Sequence, residues 1–323
     1  MITTLTATTT DAVQSALLAE ADGRGSSRVL TLIVPTDEAG LGEALAAAHG
    51  ASRDHPCRVI AVVRDTDHQA DAGHAGAHTQ ADPRGHLDAE IRVGHDAGAG
   101  ETLVLRPHGE AAGHADTLVV PFLLPDVPVV TWWPTRLPAV PSEDPLGALA
   151  SYRITNTPAA PDSSLALERL VPVSVSGDID LAWTRITLWR ALVASVLGGP
   201  ARQGAITSIE VAGEPGNASM VLMVAWLRLR LTGPLGIAVS SREEEGALGI
   251  GTITAHTDEG DLAITRFDAE RVTIRRPGRE GPQVVTMARR EPIHTLNEEL
   301  RRLAPDLVYG EVLGSLRTPE PQE

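Results

Sequence analysis

Three arginines and one aspartate are the residues of this chain whose types and placement could bind or transform an anion. Arg153 follows a predicted helix, and Arg185 and Arg190 share with Asp180 the segment Asp180-Leu-Ala-Trp-Thr-Arg-Ile-Thr-Leu-Trp-Arg190. A guanidinium group binds a phosphate or carboxylate through parallel hydrogen bonds, and a positioned carboxylate can act as a general base. One hypothesis is therefore an enzyme acting on a sugar phosphate or nucleotide, with the arginines as anion clamps and Asp180 as base.

The same segment also has a structural interpretation. Apolar residues recur at helical spacing from about Ile179 to Leu197, Trp183 and Trp189 lie in this segment, and Gly198-Gly199-Pro200 is typical of a helix end. A charged group on a mostly buried helix needs an internal carboxylate, or its stem lies along apolar surface with its head in water. Two alternatives remain beside this one: contact with an acidic partner surface, and binding of a phosphate ligand.

Two adjacent tryptophans lie in a second apolar segment. Val127 to Trp133 is apolar, β-branched and aromatic, and Pro128 confines it to a sheet edge or to the first residues of a strand. Side chains alternate across a strand, so Trp132 and Trp133 must point to opposite faces. Tryptophan and arginine are common interface anchors. We therefore take both residues, together with Trp183 and Trp189, as candidate partner contacts.

The histidines, glycines and the single cysteine predict neither a metal nor a cofactor. His74 and His78 have the spacing of two ligands on one helix face, but they lie in a stretch of Ala, Gly, Asp and Thr that is typical of a solvated loop. The glycines at 94, 98 and 100 precede a strand rather than a helix, so they do not form a phosphate-binding loop. Cys57 is expected to be an inert core thiol. No catalytic motif is recognised.

Composition narrows the classes of partner. The chain has 323 residues and a net charge of −15, which argues against nucleic acid or an anionic membrane surface as a partner. No apolar run approaches the ~20 residues that a membrane-spanning helix needs. The first residues, Met1-Ile-Thr-Thr-Leu5, do not resemble a secretory signal. We expect a cytoplasmic protein.

The order of elements predicts an α/β to α+β protein. Strand-like Arg28–Pro35, helix-like Asp37–His49 and strand-like Arg58–Val63 form a parallel crossover pattern. From Gly236 onward, short alternating strands separated by Gly, Asp and Pro indicate an antiparallel meander, followed by two amphipathic helices. A linker at Thr157–Asp162 suggests two domains, a mixed α/β domain over residues 1–160 and an α+β domain over residues 161–323.

Several motifs together resemble one family. They are Leu124-Pro-Asp-Val-Pro-Val-Val-Thr-Trp-Trp-Pro134, Asp144-Pro-Leu-Gly-Ala-Leu149 (predicted to start a helix that runs to Arg153), Arg153-Ile-Thr155, the segment Asp180–Arg190, and Ala225-Trp-Leu227. The combination resembles the glucose-6-phosphate dehydrogenase assembly protein family, OpcA, of actinobacteria and cyanobacteria, and the resemblance covers most of the chain.

The resemblance implies a non-catalytic partner of glucose-6-phosphate dehydrogenase, the entry enzyme of the oxidative pentose phosphate pathway. On this interpretation the chain promotes assembly or activity of the enzyme by protein–protein binding that favours the active oligomer. Cyanobacterial members have been linked to redox control through cysteines, but one cysteine excludes an intramolecular dithiol switch here. The enzyme hypothesis and a domain that senses a small molecule remain as alternatives.

Overall fold

A computed structural model describes residues 1–21, 28–64, 85–94 and 100–317 of the chain. The chain forms two compact units, and neither is continuous in sequence. Unit 1 comprises Met1–Asn156, Ser174–Ile179 and Pro292–Pro305, and unit 2 comprises Thr157–Val173, Asp180–Glu291 and Asp306–Glu323. The expectation that residues 1–160 and 161–323 fold as separate domains stays a prediction.

The first sheet has eight strands. They are β1 (Ile2–Thr8), β2 (Leu30–Thr36), β3 (Cys57–Val63), β4 (His86–Val93), β5 (Glu101–His108), β6 (Val129–Trp132), β7 (Tyr152–Thr155) and β8 (Asp178–Asp180). Their spatial order is β1-β4-β5-β3-β2-β6-β7-β8, in which β5, β3, β2, β6 and β7 run parallel and β1 and β4 pair antiparallel. Every residue of β2 is buried, as expected for a parallel strand covered on both faces, whereas burial alternates along β4.

The second sheet has six strands. They are β9 (Ile206–Gly213), β10 (Ala238–Glu243), β11 (Ile250–Thr257), β12 (Leu262–Arg266), β13 (Arg271–Arg275) and β14 (Gln283–Thr286). The order is β10-β9-β11-β12-β13-β14, with β10 parallel to β9 and all other neighbours antiparallel. The predicted class is confirmed: a mixed α/β sheet comes first, and a sheet with an antiparallel meander follows.

Ten helices are found among the described residues. They are α1 (Thr10–Ala21), α2 (Glu38–Ser52), α3 (Ala115–Val119), α4 (Ser163–Leu170), α5 (Leu181–Arg185), α6 (Thr187–Arg202), α7 (Ala218–Leu227), α8 (Gly233–Leu235), α9 (Pro292–Arg302) and α10 (Leu307–Arg317). A π-helical turn, Arg228–Thr232, joins α7 to α8. Each helix of this part of the chain is too short or too polar to span a lipid bilayer.

The predicted helix over residues 144–153 is wrong. The segment consists of turns that lead into β7. The Asp144 carboxylate accepts hydrogen bonds from the amides of Leu146 and Gly147, and the Leu146 carbonyl accepts one from the Thr131 hydroxyl. Gly147 lies so close to the chain that an added Cβ would be 1.9 Å from the Pro141 carbonyl oxygen. The Asp144 bonds are those of a helix cap, but the bond from Thr131 and the close approach of Gly147 to Pro141 override the local helical preference.

The continuous helix predicted from Ile179 to Leu197 is wrong as well. Ile179 lies in β8, and α5 and α6 are separated at Ile186, whose φ and ψ are −90° and 6°. The glycine–glycine–proline sequence does not end α6, which continues to Arg202 with Pro200 inside it. A proline in the last turn of a helix removes one backbone hydrogen bond from an end that already frays, so the helix tolerates it there.

Helix α7 is the centre of unit 2. Eight of its ten residues are buried. It packs against α4, α5, α10 and the strands β9 and β10. The Asn217 side chain caps it by accepting hydrogen bonds from the amides of Ser219 and Met220. The Ser219 hydroxyl in turn donates to the Ala182 carbonyl at 3.0 Å, which fixes α5 against α7.

Candidate functional site

The predicted site residues do not form one cluster, because Trp132, Trp133 and Arg153 belong to unit 1 whereas Asp180 through Arg190 belong to unit 2. Both tryptophans of the pair are 1% exposed. Neither indole N–H donates a hydrogen bond within the described part of the chain. The ring of Trp133 lies beside Gly147, where an added Cβ would be 2.9 Å from it. The two rings are therefore core residues without exposed surface for a partner.

Arg153 is engaged inside unit 1. It is 8% exposed, and its Nε donates to the Asp178 carboxylate. Its Nη1 donates to the Ala150 carbonyl at 2.7 Å and its Nη2 to the Ser176 carbonyl at 3.0 Å. The guanidinium thus joins the turn before β7 to the turn before β8, and these contacts satisfy it internally.

Asp180 is a buried cap. It is completely buried, and its Oδ1 accepts from the Ala182 amide at 2.8 Å, which caps α5, and from the Thr157 hydroxyl at 2.6 Å. Its Oδ2 accepts from the Thr157 amide at 3.0 Å. Three hydrogen bonds inside unit 2 leave this carboxylate holding the start of α5 in place rather than facing a ligand.

Trp183 and Arg190 form a stacked pair in unit 2. Trp183 is 1% exposed, its indole N–H donates to the Asp306 carboxylate at 2.9 Å, and its ring lies 5.6 Å from that of Tyr309. The Arg190 guanidinium carbon lies 3.6 Å from the centroid of the Trp183 ring. Its Nη2 also donates to the Thr187 hydroxyl at 3.3 Å. Arg190 is therefore a cation–π partner that helps fix α5 against α6.

Arg185 and Trp189 lie elsewhere in unit 2, on a cavity. The cavity has a volume of about 410 Å³, and the charged residues that line it are Arg185, Glu214, Arg266, Arg289 and Arg290. Trp189 also lines it and is 6% exposed. Arg190 is not among the described lining residues. One member of the predicted arginine cluster therefore lines a cavity, and the other arginines there come from β12 and from the segment after β14.

Arg185 has an incomplete set of partners. Its Nε is buried, and no hydrogen bond from its guanidinium is found in the part of the chain that the structure describes. Burial lowers the pKa of Arg185, and the nearby carboxylates of Asp180 and Glu214 oppose that change. An arginine stays charged even so. A buried positive charge with free donors is costly unless an acceptor is supplied.

The other three arginines are anchored by backbone carbonyls. Arg266 Nη1 donates to the Met287 carbonyl, Arg289 Nη1 to the Leu248 carbonyl at 2.8 Å, and Arg290 Nη1 to the Thr184 carbonyl at 3.0 Å. The guanidinium carbon of Arg266 also lies 5.3 Å from the ring centroid of Trp189. A carbonyl orients a guanidinium without neutralising it, so the charges of Arg266 and Arg289 persist at the cavity.

Like charges repel at this cavity. Burial lowers the pKa of Arg266, and the adjacent positive charge of Arg289 lowers it further, while Asp268 acts in the opposite direction. Sequence reasoning missed Arg266, Arg289 and Arg290, because they lie 76 or more residues beyond Arg190 along the chain. The doublet Arg289-Arg290, just after the last strand of the meander, is the signal that could have drawn attention to them.

A separate group of side chains in unit 1 could hold a metal ion. His86 and Asp88 lie two residues apart on β4, and His108 pairs with His86 across the strands, so donor atoms of all three lie within 4.8 Å of one another. The imidazole rings stack at 4.5 Å, and Asp88 Oδ1 accepts from the Ala7 amide. No metal is predicted here from the sequence, and the spacing His-x-Asp on a strand is the signal that could have indicated one. His68, His74 and His78 lie outside the described residues.

Two family models match the chain. Residues 48–171 match the model described as the glucose-6-phosphate dehydrogenase subunit N-terminal domain, of the OpcA assembly family, and residues 176–313 match the corresponding C-terminal domain. The chain belongs to the OpcA family. The resemblance that the tryptophan and arginine motifs suggested is thereby confirmed, and the family places the chain in a role related to assembly of glucose-6-phosphate dehydrogenase.

Comparison with solved structures found similar chains at low identity. The 3-ketoreductase KijD10 from Actinomadura kijaniata is 11% identical, with 90% of this chain and 95% of that chain covered and a TM-score of 0.46. An oxidoreductase from Sinorhizobium meliloti gives the same four values. The super-repressor mutant of Gal80p from Saccharomyces cerevisiae is 9% identical, with 90% and 96% covered and a TM-score of 0.44. No curated protein matches the chain in sequence.

Proposed function

We propose that this OpcA-family chain is a non-catalytic partner of glucose-6-phosphate dehydrogenase that binds the enzyme and favours its active oligomer. The observation that carries the proposal is the match of both halves of the chain to the two domains of the family. The pentose phosphate pathway and a cytoplasmic location belong to the same proposal. Glucose-6-phosphate dehydrogenase is the expected partner.

The state of the predicted catalytic residues supports this proposal over the enzyme hypothesis. That hypothesis needs Arg153 as an anion clamp and Asp180 as a base. Arg153 is held by a carboxylate and two carbonyls, and Asp180 accepts three internal hydrogen bonds. A carboxylate that is completely buried and holds an internal helix cap is not positioned to take a proton from a substrate. Two of the four residues of that hypothesis therefore serve the fold.

The mechanism requires only differential affinity. A protein that binds one oligomeric state of an enzyme more tightly than another shifts the population toward the tighter-bound state. A tenfold shift needs about 1.4 kcal/mol of difference in binding free energy between the two states. No chemical step on this chain is needed, and allosteric activation of the dehydrogenase follows if the favoured oligomer is the active one.

The test is reconstitution from purified proteins. The chain and the glucose-6-phosphate dehydrogenase of the same organism are mixed, and size-exclusion chromatography with light scattering measures co-elution and the oligomeric state of the enzyme. Initial rates then give kcat and KM with and without the chain. An unrelated protein of similar size and negative charge is the control for nonspecific effects.

When the chain is added to the enzyme, we expect a shared elution peak, a larger fraction of the active oligomer and a higher kcat/KM. The control protein should produce none of these changes. Separate elution together with unchanged kinetics would refute the proposal. Co-elution with an unchanged oligomeric state would refute the oligomer mechanism while leaving the partner assignment in place.

A further inference from the structure

We propose that the cavity lined by Arg185, Arg266, Arg289 and Arg290 binds a small phosphate monoester. We call these residues, with Glu214 and Trp189, the arginine cavity. The inference goes beyond the partner role, because it assigns a ligand to this chain by itself. It uses residues of unit 2 alone, and it holds whether or not the dehydrogenase is bound.

The local charge is opposite to that of the whole protein. The chain carries a net charge of −15, yet the described charged residues that line the cavity are four arginines and one glutamate. A concave site lined by an excess of arginines attracts an anion. Arginine is the residue best suited to phosphate, because its planar donors match two oxygens at once.

The unpaired Nε of Arg185 points to a missing acceptor. Its Nε is buried and makes no hydrogen bond in the described part of the chain. Leaving a buried charged donor without a partner costs more than losing an ordinary hydrogen bond. Helix α5 is nevertheless held rigidly by the Asp180 cap and by the bond from Ser219 to Ala182. The structure therefore keeps Arg185 at the cavity instead of letting it turn to solvent.

The repulsion between Arg266 and Arg289 also favours an anionic ligand. Each guanidinium is tied to a backbone carbonyl, Met287 for Arg266 and Leu248 for Arg289, so neither is neutralised. The charge of Arg289 disfavours the charged form of Arg266. A bound dianion would convert this repulsion into two attractions, which a neutral or singly charged ligand would do less well.

The remaining lining residues indicate what the phosphate is attached to. Glu214 uses Oε2 to accept from Asn217 and from the Gly249 amide, and none of the described hydrogen bonds uses its Oε1. That oxygen can accept from a ligand hydroxyl, while Trp189 offers apolar surface. A volume of about 410 Å³ is at the small end for ligand sites. These features fit a hydroxylated phosphate monoester better than a nucleotide.

The experiment uses the full chain without the dehydrogenase. Isothermal titration calorimetry at constant ionic strength compares a hexose 6-phosphate and inorganic phosphate with the unphosphorylated hexose and with citrate. We expect saturable one-to-one binding of the hexose phosphate, weaker binding of phosphate, and none of the hexose. Failure of both phosphate ligands to bind would overturn the proposal, as would equal binding of citrate, because citrate would show that any multivalent anion suffices.

Variants localise the binding. Arg289→Gln removes a charge from an exposed side chain and should weaken the binding of the hexose phosphate by about tenfold, or ~1.4 kcal/mol. Arg185→Gln should weaken it at least as much. Arg275→Gln, which removes the same charge from an exposed position on β13 outside the cavity lining, is the matched control and should bind normally. Equal effects of Arg289→Gln and Arg275→Gln would overturn the assignment to the cavity; Arg289→Gln carries the test if Arg185→Gln does not fold.

The assembly test and the ligand test fail independently. Loss of co-elution with the dehydrogenase leaves the calorimetry untouched, and absence of phosphate binding leaves the partner role untouched. One combined result has a separate meaning. If no phosphate ester binds while Arg289→Gln weakens co-elution, the cavity receives an acidic segment of the partner, and the phosphate proposal is overturned.

Discussion

Replacing Asp180 by alanine should destabilise unit 2 by about 3 kcal/mol. Loss of the N-cap of α5 costs ~1 kcal/mol. The amide of Thr157, a residue that is also completely buried, then loses its acceptor, which adds ~1–3 kcal/mol. The Thr157 hydroxyl loses its Asp180 acceptor as well, and that loss is not included in the total. The total is a large fraction of the ~5–15 kcal/mol that stabilises a domain.

The assay is urea unfolding followed by hydrogen-exchange mass spectrometry, which reports each unit separately. Peptides from α5, α6 and the segment around Thr157 should lose protection at lower urea in Asp180→Ala than in the native chain. Asp162→Ala is the matched control: Asp162 caps α4 by accepting from the Leu165 amide at 2.9 Å, but it is exposed, so water can replace it. Asp180→Asn retains one acceptor oxygen and should fall between the native chain and Asp180→Ala.

Equal destabilisation by Asp180→Ala and Asp162→Ala would refute the reasoning, because it would show that burial of the acceptor adds nothing to the capping energy.

Further variants test other parts of the fold. Arg153→Met breaks a buried ion pair and should lower stability by ~3–5 kcal/mol in urea unfolding without changing phosphate affinity in calorimetry. Burial raises the pKa of the Cys57 thiol from 9.0 to about 12. Because the folded state holds the thiol proton more tightly than the unfolded state, the stability linked to this proton is fully present below pH 9 and is lost as the pH rises toward about 12. Labelling of the folded chain with iodoacetamide at pH 8 should be far slower than labelling in urea. Gly147→Ala should lower the stability of the protein because its Cβ would overlap a carbonyl oxygen. Gly42→Ala lies in helix α2 with no atom within 4 Å of the new Cβ, so it should raise the free energy of unfolding by ~0.5–1 kcal/mol. Thermal unfolding of the two variants measures the difference.

The hydrophobic pattern along the chain was enough to predict an element where its periodicity matches the environment of that element in the fold. Buried β2 and β3 could be predicted because an uninterrupted apolar run fits a parallel strand covered on both faces. The alternation in β11 and β13 and the amphipathic α9 could be predicted for the same reason. Where local preference and tertiary contact compete, prediction failed. Asp144 begins turns instead of a helix because distant residues bind this segment: Arg64 donates to the Asp144 carboxylate, and Thr131 donates to the Leu146 carbonyl.

The class of the fold, the family and the residue types able to bind an anion follow from the amino-acid sequence, since they depend on composition, periodicity and motifs along the chain. The tertiary structure alone decided which arginines face a cavity. Arg153 forms an ion pair with a carboxylate, and Arg190 stacks on an indole ring. Arg185 lines a cavity together with Arg266 and Arg289, which come from distant strands and loops. The physical reason is that a guanidinium binds the acceptor or aromatic face that lies within a few ångströms of it. Packing between segments far apart in sequence decides which group that is.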